Sequence, residues 1–154
     1  MRFHPQAISA GLAAIRAGKN ILVDVNMAAS GSSSGLLAGF GGRVICRVAE
    51  PETAAMAKAN GTTRSDAAMS RSVADNIGIV AVGNAPTALL KVMELIDQGL
   101  FAPDLVIGVP VGFVNASESK EILVHKPFPF ITALGRKGGT PVAVAAINAL
   151  LRLA

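Results

Sequence analysis

The sequence has no tryptophan or tyrosine, a single cysteine, and charge on only 16% of its 154 residues. Each scarcity excludes something. Cys46 has no second cysteine with which to close a disulfide. The two histidines, His4 and His125, lie too far apart in sequence to complete a zinc site with it. No metal and a reducing, cytoplasmic compartment are the expectation. Six phenylalanines make up all the aromatics, and the net charge of +4 gathers into no basic cluster, so nucleic acid is not an expected partner.

Long apolar runs are also missing. The longest charge-free stretch, Val25 to Gly42, is broken by five glycines and four serines, which excludes a membrane-spanning helix despite a mean hydropathy of +0.52. Met1 runs straight into Arg2, His4 and Pro5 without the order of a signal peptide. Neither a membrane partner nor export is expected. The chain is rich in hydrophobic residues, at 51%, which rules out disorder. A chain of this length buries roughly 70% of the surface it exposes when unfolded, enough for one domain spanning residues 1–154.

Apolar runs bounded by glycine alternate with stretches of helical period, the pattern of an α/β fold. The runs Ile21–Asn26, Arg43–Val48, Ile77–Gly83, Leu105–Pro110 and Phe130–Leu134 predict a mostly parallel five-stranded sheet covered by helices in three layers. Helices are predicted over Pro5–Ala17, Ala55–Asn60, Ser65–Asp75, Pro86–Gln98, Ser117–Val124 and Pro141–Leu153. The serine-rich stretch Ser30–Gly35 reads as a mobile loop.

In an open parallel sheet, ligands bind beyond the carboxyl ends of the strands. Polar and glycine-rich residues collect there: Asn26–Gly31, Gly83–Thr87, Gly112–Lys120 and Gly135–Gly139. Helices begin after these turns, so free amides and the positive ends of helix dipoles favour an anion. Asn84 is placed to cap its helix, with Thr87 completing the cap. Arg64, beside Ser65 between two helices, suits bidentate binding of a carboxylate. Arg136-Lys137 before Gly138-Gly139 is the strongest anion signal. No nucleophile triad, dinucleotide fingerprint or phosphate-binding loop of the nucleotide-hydrolase type is present. The residues alone therefore predict an α/β domain that binds a small anion.

Taken together in order, several blocks resemble the precorrin-8X (cobalt-precorrin-8) methylmutase family of cobalamin biosynthesis. They are Ile21–Val25 with Met27, Val44–Cys46, Gly61–Ser65 with Ala67–Met69, and Val82–Leu89. Val109–Val114, Glu118–Glu121 and Gly135–Gly139 complete the set. The resemblance implies an isomerase that moves a methyl group between neighbouring carbons of a tetrapyrrole, giving hydrogenobyrinic or cobyrinic acid. It implies no cofactor, a polycarboxylate tetrapyrrole as ligand, and a homodimer. Substrate-binding roles pass to Arg64, Ser65, Asn84, Thr87, Gly112, Phe113, Glu118, Ser119, Lys120, Arg136 and Lys137, with Glu118 orienting basic groups and Lys120 its charge partner.

The family's proton-donating histidine belongs to a segment upstream of the first helix. That segment is expected to be missing here, so no catalytic residue is assigned and His4, at the start of the first helix, does not inherit the role. Ser32–Gly35 also replaces a stretch that is often basic in the family. The alternative reading is a tetrapyrrole-binding protein without turnover.

Overall fold

A strand covered on both faces must be apolar throughout, and its alternate side chains feed two separate cores. The computed structural model, which describes residues 1–154, has one such strand at its centre, β4 (Ile77–Val82), with all six residues buried. Before it come β1 (Arg2–Phe3), α1 (Ala7–Arg16), β2 (Asn20–Val23), α2 (Asn26–Gly31), α3 (Ser34–Ala38), β3 (Val44–Ile45), α4 (Pro51–Asn60) and α5 (Arg64–Arg71). After it come α6 (Pro86–Asp97), β5 (Leu105–Gly108), α7 (Ala116–Leu123), β6 (Phe130–Thr132) and α8 (Thr140–Leu153). The strand order is β1-β6-β5-β4-β2-β3, parallel everywhere except at β1.

The alternation is explicit. Ile21, Val23, Ile79, Ala81, Leu105, Ile107 and Ile131 join one core with Ile15 of α1, Ala28 of α2, Leu37 of α3, and Ile147 and Leu150 of α8. Leu22, Val80, Val82, Val106 and Phe130 face the other way, toward Met69 of α5, Leu89, Val92 and Met93 of α6, and Leu123 of α7. The three predicted layers are present.

The sheet has six strands, where the sequence predicts five. β1 pairs with β6, Arg2 opposite Thr132 and Phe3 opposite Ile131, and both of its residues are exposed. Two exposed residues carry no hydrophobic period, so only the unpaired edge of β6 makes them a strand. Ser30–Gly35 is not a mobile loop: it closes α2 and opens α3. Ser32 Oγ donates to the Ala28 carbonyl at 2.7 Å, and Asn148 of α8 clamps the junction by accepting from Ser33 N–H at 2.8 Å. The predicted Ala55–Asn60 helix starts earlier, with Pro51 at its first position, where a proline loses no helical hydrogen bond. The predicted Ser65–Asp75 helix runs from Arg64 to Arg71.

The chain leaves β2 for α2 on one face and leaves β4 for α6 on the other, so the loops part between two adjacent strands. Asp24 fills this fork. Fully buried, it accepts from the N–H groups of Gly83 at 3.0 Å, Asn84 at 2.9 Å and Ala85 at 2.8 Å. The predicted cap of α6 by Asn84 is therefore replaced: Ala85 holds the N-cap position, no side chain caps locally, and the carboxylate comes from β2. Gly83 is required by close approach, since a Cβ there would stand 2.7 Å from Thr140 Cα. Away from this rim, Arg47 binds Asp75 through Nε and Nη2 at 2.9 and 2.6 Å, while Glu50 accepts from both Arg47 and Arg71.

Asp24→Ala should lower stability by about 3 kcal/mol, because three amides lose a charged acceptor and that of Gly83 is buried. Chemical denaturation measures this, and a loss within about 0.5 kcal/mol, typical of an ordinary surface site, would contradict the anchoring role. The Arg71 hydrogen bond, followed by that of Arg47, holds the Glu50 carboxyl below its ordinary 4.5. A lowered carboxyl pKa adds stability above its unfolded value that is lost as pH falls through the folded one. Stability of the wild type should thus fall more steeply below pH 4.5 than that of Glu50→Gln. Parallel acid melting curves would contradict the assignment.

Candidate functional site

Helices that follow parallel strands begin at the carboxyl rim of the sheet, as α2, α6 and α8 do. α5 precedes β4 and runs back against it, so its first turn reaches the same rim. Thr63 caps α5, its Oγ1 accepting from Asp66 N–H at 3.0 Å. The same Oγ1 lies 3.2 Å from Thr87 Oγ1, which joins the start of α5 to the first turn of α6. Thr87 therefore does not complete a cap of α6, as the sequence suggests, but links two helices. The link brings Arg64, Ser65, Asn84 and Thr87 together. Arg64 is exposed and makes no ion pair.

A second cluster forms over β5 and β6. Gly112 N–H donates to the Arg136 carbonyl at 3.2 Å, which binds the loop after β5 to the loop after β6. Phe113 is 83% exposed, and the Arg136 guanidinium carbon sits 5.5 Å from the centre of its ring. At exposed sites such a contact is worth about 0.5–1 kcal/mol, enough to orient two mobile side chains. Val111, Gly112, Phe113, Arg136 and Lys137 line an open cavity of about 320 Å³. Arg136 and Lys137 are exposed and make no ion pair. Gly139 N–H donates to the Val109 carbonyl at 2.8 Å, and Gly138 is pressed so closely on that carbonyl that a Cβ would collide with it.

The three residues predicted on α7 do not join this surface as expected. Glu118 is exposed without an ion pair, Ser119 is buried with its Oγ donating to the Ala116 carbonyl at 3.0 Å, and Lys120 is fully buried. Glu118 and Lys120 are two positions apart on a helix and point in different directions, so they form no charge pair. Lys120 Nζ instead donates to the Lys137 carbonyl at 2.8 Å, and burial lowers its pKa from the ordinary value.

Both histidines lie at the opposite rim. His4 N–H donates to the carbonyl of Phe130, the first residue of β6; its imidazole Nδ1 accepts from Gln6 N–H at 3.2 Å and its ring stands edge-on to Phe130. His125 follows the far end of α7. Cys46 is half-buried, and burial pushes its thiol pKa up, away from nucleophilic use at neutral pH. A second cavity, about 290 Å³ and wholly apolar, lies among Phe3, Ile8, Val142 and Leu153, and none of the predicted site residues lines it.

Two residues that shape the rim were not assigned to it from sequence. Asp24 carries a readable signal, because an acid directly after the apolar run Ile21–Val23 needs donors inside the protein. Thr63 does as well, since threonine three residues before Asp66 is a helix-start pattern.

The family model for precorrin-8X methylmutase matches residues 1–153. A cobalt-precorrin-8 methylmutase of Priestia megaterium is 46% identical over all of this chain and 69% of its own length. A precorrin-8X methylmutase of Pseudomonas aeruginosa is 43% identical over 97% of this chain and 73% of its own length. Among solved structures, a precorrin-8X methylmutase from Thermus thermophilus superposes with a TM-score of 0.89 at 49% identity, covering 99% of this chain and 74% of that one. No helix here is long and apolar enough to cross a membrane. With matching sequence along its length and the same fold, the chain belongs to the precorrin-8X methylmutase family.

Proposed function

We propose that the carboxyl rim of the sheet binds a polycarboxylate tetrapyrrole, precorrin-8X or cobalt-precorrin-8, and that the chain isomerises it to hydrogenobyrinic or cobyrinic acid. The observation that carries this reading is the set of cations on one rim, Arg64, Arg136 and Lys137, none ion-paired, with the exposed ring of Phe113 next to Arg136. A broad ring bearing several carboxylates needs separated cations at its edge and an apolar face beneath it. Arg64 and Ser65, with Asn84 and Thr87, serve one side of the ring; Gly112, Phe113, Arg136 and Lys137 serve the other. Glu118 lies in the first turn of α7, which follows the loop bearing Gly112 and Phe113, while Ser119 and Lys120 act from beneath the surface.

Methyl migration between neighbouring ring carbons leaves the molecular formula unchanged. The protein's task is to hold the ring, exclude competing reactions and manage a proton. Both imidazoles within residues 1–154 sit on the far rim, which favours a second reading in which the chain binds the tetrapyrrole without turnover. The resemblance carries a homodimer with it, and the lone Cys46 suits a reducing cytoplasm.

An absorbance titration with cobyrinic acid, followed by a turnover assay with the precursor, separates the readings. Binding with turnover supports isomerisation, binding alone supports the second reading, and no binding contradicts both. Arg136→Ala should cost about 1.5–3 kcal/mol of binding free energy, roughly tenfold or more in Kd. Arg64→Ala should cost a similar amount, and unchanged affinity for either variant would remove that loop from the site. In sedimentation, a species of twice 15.6 kDa is expected, whereas a monomer at all concentrations would contradict the homodimer.

A further inference from the structure

The loop after β6 is held by few hydrogen bonds. Gly135 and Gly139 have φ of 86° and 115°, so the backbone around Arg136 and Lys137 is of a kind that is flexible unless tethered. Gly139 N–H to Val109 and the Arg136 carbonyl to Gly112 are backbone tethers. The side-chain tether is Lys120, whose Nζ reaches the Lys137 carbonyl at 2.8 Å from the buried face of α7.

Lys120 is an unusual choice for that position. It is completely buried, is among the largest side chains so enclosed, and has no carboxylate partner. Burial of an unpaired ammonium opposes folding, and an apolar side chain of similar length would fill the same space without that cost. Its contribution has to be sought in what it holds.

The Lys137–Gly138 peptide is trans, so its carbonyl and its N–H point in opposite directions. With the carbonyl turned down onto Lys120, the Gly138 N–H is turned away from α7. The N–H groups of Arg136, Lys137 and Gly138 all lack a hydrogen-bond acceptor within the protein. Free amides in a glycine-rich loop are donors available to an anion. Without a donor beneath it, a peptide bordering glycine is free to turn over and present its carbonyl oxygen instead.

We propose that Lys120 is a positioning residue that locks the Lys137–Gly138 peptide, so that the Arg136–Gly138 amides and the two cations receive one ligand carboxylate together. The ligand class rests on the reading given under Proposed function; the lock on the peptide does not.

The test uses the full chain with Lys120→Met, which keeps length and removes the donor, and Lys120→Arg, which restores one. Lys120→Met should fold with a Tm equal to or above that of the wild type. Amide exchange at Gly139 and Gly112, whose N–H groups tie the loop to Val109 and Arg136, should accelerate at least tenfold without any ligand, and affinity for cobyrinic acid should fall about tenfold. Lys120→Arg should recover part of both effects. Unchanged exchange would overturn the lock, as would a Lys120→Met chain that cannot fold, because the side chain would then be serving the core. Faster exchange with unchanged cobyrinic acid affinity would overturn the link to the carboxylate. A wild-type chain that binds no cobyrinic acid would instead contradict the functional reading, with the exchange result still deciding the lock.

Discussion

One buried carboxylate holds the carboxyl rim of this molecule together. Asp24 leaves β2 at the fork where the chain's two halves part, and it takes the three amides that open the turn into α6. Without it, a fully buried strand end would face three unpaired donors, and the turn that carries Asn84 and Thr87 would lose its fixed position. The constraint spreads outward from there. Thr87 ties α6 to Thr63 and hence to Arg64, and Gly83 allows the start of α8 to close directly over β4.

The same interaction decides where an anion can be held. Anion binding at a helix start relies on free amides, but the first amides leading into α6 are already spent on Asp24. In the site we propose, attraction for a carboxylate therefore passes to side chains at the margin, Arg64 on one side and Arg136 with Lys137 on the other, and to the free amides of the loop after β6. Separate cations and an exposed phenylalanine on one rim suit a wide ring with carboxylates at its edge better than a compact phosphate. That matches the chain's membership of a family named for a tetrapyrrole substrate.

The layers, the central strands and most helices were legible in the sequence because β4 and β5 are apolar at every position, β2 is apolar after Asn20, and α6 and α8 carry clear helical stripes. β1 was not, because Arg2 and Phe3 are exposed and become a strand only against the edge of β6. The rim was legible in its loops and cations, but not in its bonding. Asn84 looked like a helix cap because caps are usually local, whereas the acceptor comes from some sixty residues upstream. Lys120 looked like a surface cation because lysine usually is one, and only the packing of α7 against the last loop reveals that it points inward.

The most direct test of this account is a crystal structure of the chain with cobyrinic acid. The account predicts the ring over the carboxyl rim, with carboxylates on Arg64 and Arg136, Phe113 against the macrocycle, and Asp24 still holding the turn into α6. A ring seated in the apolar cavity between α1 and α8, or carboxylates that leave both arginines in solvent, would contradict it.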